Sequence, residues 1–554
     1  MRKISLLFIL IITFMLASCD GFDSSTEENI SFEPTTVELT TEELTTEELT
    51  TEELTTVELT TVELTTVELT TEEPTTEEPT TEEPTTEEPT IEEPTTEEPT
   101  TEEPITEEPT TEEPTTEYPT TDVETTFVDQ SFMPTNYSLL QDELDSYGLP
   151  SMGDVNVLVF AIDFPDMPYQ PSNPSIQDIE LAFNGESSEI DFESVSSYYQ
   201  KSSFNQLNIK ADVFGYYTTS QNSTYYKVEN DKFYETNPNT GEYVYGDDEI
   251  TYVESDIIYE LLTYYDNQID YSQYDANQDG FIDGIYIVYN HPSDAETDLW
   301  WAYQYYYAYE DNFDGVSPNY FMWASNDFLQ EGNDNINART FIHETGHMFG
   351  LDDYYDYSFE DSHNNGGLGT YMMDYNIGDH DPFSKILLGW ITPKVIDSSS
   401  LTTITPHLDN GDVLLVTNHW NGSIFDEYFL ITYYTPEGLN SHDPDYIFTE
   451  TGINIFHVAA QIDQGYNGDL VYYSIFNNNN TDSLYKLINI VEADMNESIE
   501  DYSLVENSDL FQVGDILNGN VYPNYKWYNG SQVNFTISIE FIDQESANIK
   551  ITFK

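Results

Sequence analysis

Cysteine and cationic residues are what this chain has least of. A single cysteine, Cys19, among 554 residues leaves neither a disulfide nor a cysteine-ligated metal site open to it. Lysine and arginine number 13 against 106 aspartates and glutamates, for a net charge of −93. So acidic a chain repels phosphate backbones and anionic lipid headgroups, which argues against nucleic acid or an anionic membrane as its binding partner. It suits life outside the cell, where divalent cations or salt are abundant. Beyond the N-terminal segment, no apolar run is long enough to span a bilayer. Histidine is scarce too, with nine in all, so a cluster of them carries weight.

Arg2 and Lys3 precede an apolar core, Leu6 to Leu16, which is too short for a membrane-spanning helix and reads as a targeting segment. It ends in Leu16-Ala17-Ser18-Cys19, which resembles the lipobox of bacterial lipoproteins. The resemblance implies that residues 1–18 are a signal peptide and that Cys19 is lipidated and becomes the new N-terminus. Two or more acyl chains hold a protein stably on a membrane, so the expected location is the outer face of a bacterial cell membrane. From about Pro34 to Thr121 runs a repeat, Thr-Thr-Glu-Glu-Leu or Thr-Thr-Val-Glu-Leu first and Thr-Thr-Glu-Glu-Pro later. It has no lysine or arginine and too little apolar surface to offset its conformational entropy. Residues 19–133 are therefore expected to form a disordered stalk, stiffened toward polyproline II by regular prolines and repelling glutamates.

The chemistry concentrates in His343-Glu344-Thr345-Gly346-His347-Met348-Phe349-Gly350-Leu351-Asp352-Asp353. His343 and His347 stand at i and i+4, so a helix projects both imidazoles from one face, where they can share one Zn²⁺. Glu344 adjoins the first of them, where a carboxylate can take a proton from water activated at the metal. Gly350 allows a left-handed turn out of the helix. Two adjacent aspartates, Asp352 and Asp353, then compete for the third-ligand role, and the spacing favours Asp353.

The roughly 400 residues from Met152 to Lys554 suffice for two or more domains. Asp154–Phe164, Asn208–Phe214 and Gly284–Tyr289 read as strands. Ser194 to Tyr199 and Ser255 to Tyr265 read as helices, and the helix carrying the histidines is expected to start near Asn337 or Ala338. After Pro393 short alternating strands take over, such as Leu414–Val416, Tyr428–Ile431 and Ile453–Phe456. The expectation is an α+β region, 134–395, followed by a β-rich, sandwich-like region, 396–554. Before the histidines, Asp275, Asn277, Asp279 and Asp283 place side-chain oxygens at positions one, three, five and nine of a loop, with Gly280 at six. With the carbonyl of Phe281 this is the front of a Ca²⁺ loop. Tyr286 stands where an EF-hand has its bidentate glutamate, so the standard helix-loop-helix site is not expected.

Together these segments resemble the immune inhibitor A family of secreted bacterial metallopeptidases, over nearly all of Met152–Lys554. The resemblance is carried by Asp163-Phe164-Pro165-Asp166, by Ser194–Tyr199 with Ser203, and by the Asp275–Asp283 loop. It continues through His343, Glu344, His347, Gly350, Asp353 and Asp356, then Leu387–Ile391 and Gly452–Val458. Tyr371-Met372-Met373-Asp374 resembles the methionine turn of metzincin-like enzymes, which implies Met373 beneath the metal. The family implies a metzincin-like catalytic domain over 134–395, with zinc held by His343, His347 and Asp353 and Glu344 as general base. Tyr375 is a candidate oxyanion stabiliser because it follows Met373 by two residues, and His457 reads as a structural strand histidine. The expected activity is endopeptidase cleavage of extracellular proteins by a monomer carrying Zn²⁺ and Ca²⁺. The alternative is a surface adhesin that binds host or matrix glycoproteins.

Overall fold

The computed structural model describes residues 148–233, 252–295, 299–330, 335–355, 368–460, 486–496, 499 and 504–554. All of them belong to one compact unit. Cys19, the signal segment, the repeats, residues 134–147 and Asp356 lie outside the described residues. The described chain is mixed α/β, with three sheets.

The first sheet has the order β2-β1-β3-β5-β4. Its strands are β1 (Gly153–Asp163), β2 (Leu207–Thr218), β3 (Ile285–Tyr289), β4 (Tyr303–Tyr306) and β5 (Tyr320–Ser325). β1 pairs parallel with β2 and β3, and β3 pairs parallel with β5, while β4 runs antiparallel along the edge. Parallel strands need cover on both faces, and β1 accordingly has a continuous apolar run instead of an alternating one. Val155, Val157, Val159 and Ala161 enter one core, and Leu158, Phe160 and Ile162 the other.

The first core is closed by α1 (Ile176–Asn184) and α2 (Val195–Ser202). Each starts at a reciprocal cap, Ser175 with Asp178 and Ser194 with Ser197, which satisfies backbone N–H groups that the helix itself leaves open. After α3 (Ser223–Phe233), α4 (Val253–Tyr265) closes the opposite core with Ile257, Ile258, Leu261 and Leu262. The helix with the histidines, α5 (Arg339–Met348), joins the first core and is buried on nearly every side, as a central helix is. Two short helices follow, α6 (Met372–Tyr375) and α7 (Pro382–Leu387).

From β6 (Lys394–Ile396) onward most of the regular elements among the described residues are strands. A second sheet has the order β11-β10-β9-β8-β6 and adds β8 (Val413–Val416), β9 (Glu427–Tyr434), β10 (Gly452–Ala459) and β11 (Ile488–Ile490). The third, β12-β13-β14-β7, contains β7 (Ser400–Ile404), β12 (Ile516–Leu517), β13 (Phe535–Ile542) and β14 (Ala547–Phe553). These two sheets share a core, in which Leu414, Phe429, Ile431 and Ile455 meet Ile404, Phe535, Ile537 and Ile549. The other face of the second sheet, through Leu415, Leu430, Phe456 and Val458, belongs to the core that also contains α5. The boundary expected at 395/396 thus falls inside β6, and the regions on either side of it share buried apolar contacts.

Where cations are so few, two with little exposure have particular work. Arg339, at the first turn of α5, pairs with Asp191 at 2.7 Å and Asp443 at 2.6 Å and lies over the Phe192 ring. It thereby joins three distant stretches of chain at the start of the histidine helix. Lys385 of α7 is fully buried and donates to Asp379 Oδ2 at 2.5 Å, while Asp379 Oδ1 accepts from Ser202 of α2. Removing one partner of such a pair strands a buried charge and costs about 3–5 kcal/mol. Lys385→Met should therefore lower the urea midpoint of the folded region clearly, and an unchanged midpoint would refute this role for the pair.

Candidate metal centre

The α5 helix leaves its axis at Gly350, whose φ of +81° is the left-handed turn that favours glycine. The reversal brings the Leu351 carbonyl against His347, where Nδ1 donates to it at 2.8 Å. His343 Nδ1 donates in the same way to the Met372 carbonyl at 2.9 Å. A carbonyl oxygen only accepts, so each Nδ1 carries a proton, and in its neutral form each ring turns an Nε2 lone pair toward the other donors. Those Nε2 atoms are 3.2 Å apart. Asp353 Oδ1 lies 2.9 Å from His343 Nε2 and 3.4 Å from His347 Nε2. The aspartate that meets the histidines is Asp353, not its neighbour Asp352.

Three electron-pair donors held this close repel one another unless a cation sits among them. Their spacing suits one ion, because ligands at about 2.0–2.1 Å in tetrahedral array stand roughly 3.3 Å apart. The electrostatics point the same way. Burial alone disfavours a charged ring, yet the Asp353 carboxylate, with Glu344 and the Leu351 carbonyl, raises His347 to about 10. Burial would lift the Asp353 carboxyl, but His347 and His343 hold it well below the usual carboxylate range. The group attracts positive charge strongly, and two nitrogens and one oxygen are a donor set that zinc accepts.

Glu344 is 2 % exposed, and its Oε2 is buried with no hydrogen-bond partner among the described residues. Burial raises its pKa, the two imidazoles oppose the rise, and Asp353 adds to it. A buried carboxylate oxygen left open beside a cation-seeking cluster is suited to receiving a proton.

Beneath the helix, α6 forms the turn that contains Met373. A Cβ added to Gly346 would come 2.3 Å from Met373 Sδ and 3.0 Å from its Cε, so the thioether fills the space that the glycine leaves on the histidine helix. Consecutive carbonyls of this turn hold the site: Met372 accepts from His343, and Met373 accepts from Tyr354 N–H. Asp374 Oδ2 closes the turn by accepting from the N–H groups of Leu368 and Gly369. Tyr375 ends the turn with its N–H on the Tyr371 carbonyl, and its side chain is half-buried. The phenol that hydrogen-bonds Asp353 is that of Tyr355. Burial, then the charges of Asp353 and Glu344, hold it protonated well above its ordinary range. In a chain with 44 tyrosines, nothing in the sequence marked Tyr355 out.

The remaining candidates lie apart from this cluster. Asp275, Asn277, Asp279 and Asp283 form a tight turn around Gly280, whose φ is +92°. Asp275 accepts from the N–H groups of Asp279 and Gly280, Asp279 from that of Phe281, and Asp283 from that of Ala276. Two groups of three histidine or carboxylate side chains bring donor atoms within 4.8 Å of one another among the described residues, and the aspartates of this turn form neither. His457 on β10 pairs with Glu427 at 2.9 Å and stacks on Phe429, a strand contact within the second sheet.

Overpacking a core position costs about 1–3 kcal/mol. Gly346→Ala should therefore displace Met373, lower the melting temperature and weaken metal retention, and the double variant Gly346→Ala/Met373→Ala should recover part of both. A single variant that melts and retains metal as the wild type does would contradict the packing of Met373 against the histidine helix.

Compared with known proteins, the chain matches no family model and no curated protein.

Proposed function

We propose that this chain is a zinc-dependent endopeptidase, held on the outside of the cell through Cys19 and the acidic repeats. The single observation that carries the reading is Glu344, a buried carboxylate with an open oxygen beside three converging donors. A binding module has no use for such a base, which sets the adhesin alternative second. The expected metzincin-like arrangement of the region 134–395 is part of the same proposal. Its supports are the reversal at Gly350, the third donor at Asp353 and Met373 packed under the helix.

His343, His347 and Asp353 would hold the ion; bound Zn²⁺ supplies Lewis acidity, polarising a carbonyl and acidifying water toward neutrality. The Met372 and Leu351 carbonyls fix both imidazoles, so their Nε2 atoms need no reorganisation to serve. Glu344 Oε2 takes the proton of the attacking water and later delivers it to the leaving amine, which balances the hydrolysis. Tyr355, bonded to Asp353 and held protonated, is placed to steady that carboxylate. The antiparallel strand β4 ends the first sheet and packs against α5.

Glu344→Gln keeps the shape and removes the base. It should retain zinc and lose casein cleavage by roughly two to four orders of magnitude. Chelation should abolish wild-type cleavage and zinc should restore it. Near-normal cleavage by Glu344→Gln would sink the assignment of Glu344.

A further inference from the structure

Far along the chain from the histidines, three acidic side chains of the C-terminal region meet. Glu492 and Asp494 follow β11, and Asp509 ends a short 3₁₀ turn, Asn507–Asp509. One carboxylate oxygen of each lies within 4.8 Å of the others. That is the widest separation two oxygens can have on one calcium ion, at about 2.4 Å from each. Carboxylates alone would be an unremarkable cluster, but Asp509 is only 1 % exposed. Its Oδ2 accepts from Glu506 N–H at 2.7 Å, while its Oδ1 is buried with no hydrogen-bond partner among the described residues. The charged groups acting on it, Glu492, Asp494 and Glu506, are all negative, and burial comes first in pushing its carboxyl up to about 7. Among the described residues, this buried carboxylate oxygen has like charges around it and no cationic partner.

We propose that Glu492, Asp494 and Asp509 bind a hard divalent cation, Ca²⁺ by its oxygen-only donor set. The backbone around the cluster is already fixed. Glu492 Oε1 accepts from Ile499 N–H, Asp494 Oδ1 from Asn496 N–H, and Ala493 N–H donates to the Asp509 carbonyl. The hydroxyl of Tyr522 donates to the Ala493 carbonyl, joining the segment that follows Asp509 to the site. Just before the 3₁₀ turn, Val505 N–H donates to the carbonyl of Gly369. The Gly369 N–H is in turn one of the two that Asp374 holds at the methionine turn. Cation binding therefore fastens together the two ends of a long excursion between β11 and β12, close to the floor of the histidine helix. An oxygen-only donor set suits Ca²⁺ where the histidine cluster suits zinc, so the site does not depend on the peptidase reading.

The test uses the full chain, stripped with chelator and titrated with CaCl₂ in about 0.15 M salt, where loose binding to the acidic repeats is screened. Calcium uptake by equilibrium dialysis and the melting temperature are read together. Wild type should take up calcium and melt higher as it does so. Asp509→Asn and Asp494→Asn should each need about tenfold more calcium for the same rise, because one ligand charge is lost. An Asp275→Asn/Asp283→Asn variant separates any calcium held at the earlier turn and should keep the uptake assigned to Asp509. Asp494 is exposed, so its substitution decides the matter even if Asp509→Asn does not fold. Wild-type calcium dependence in Asp494→Asn would overturn the proposal.

Discussion

Two imidazole nitrogens and a carboxylate oxygen are held within 3.4 Å of one another, with the Nδ1 proton of each ring committed to a backbone carbonyl. Much of the surrounding architecture serves to keep that repulsive group together. The left-handed residue Gly350 turns the chain so that Leu351 fixes one ring and Asp353 arrives between both. The methionine turn supplies the carbonyl that fixes the other ring, and it can approach because residue 346 has no side chain. From the sheet side, Tyr286 of β3 donates to Thr345, and Tyr199 of α2 donates to the Ile342 carbonyl. A donor set this constrained gains by binding a cation and loses little entropy in doing so.

The chain's poverty in lysine and arginine gives the interior a distinct logic. Acidic groups outnumber their organic partners, and two cations with little exposure stand where separate segments are joined. Arg339 ties the start of the histidine helix to Asp191 and Asp443, and Lys385 ties α7 to Asp379 and, through it, to α2. On the proposals made above, metal ions supply positive charge that side chains do not, at the histidine cluster and at the Glu492, Asp494 and Asp509 group.

The parts legible in the sequence were those fixed by local spacing. A period of four put His343 and His347 on one helical face, a glycine marked the exit, and the hydrophobic runs at Asp154–Phe164 and Gly284–Tyr289 lie on β1 and β3. Met373 was marked by its motif, and the structure packs it against Gly346. Long-range pairing left no such trace. That β4 runs antiparallel at the sheet edge follows from tertiary closure, and its tyrosine-rich run Tyr303–Tyr306 has no pattern that reveals direction. The second sheet buries both faces, so Phe429 and Leu430 serve different cores, a pairing that the strand pattern after Pro393 does not reveal. Tyr355 and Asp509 acquire their meaning only from neighbours that folding brings to them.

The central claim is that His343, His347 and Asp353 hold one zinc ion. X-ray absorption at the zinc edge, on the full chain loaded with one equivalent of zinc, tests it most directly. The account predicts a first shell of nitrogen and oxygen at about 2.0–2.1 Å, with outer-shell scattering from two imidazoles. That imidazole signal should shrink by half in His347→Ala. A shell of oxygen alone, or a spectrum that His347→Ala leaves unchanged, would contradict it.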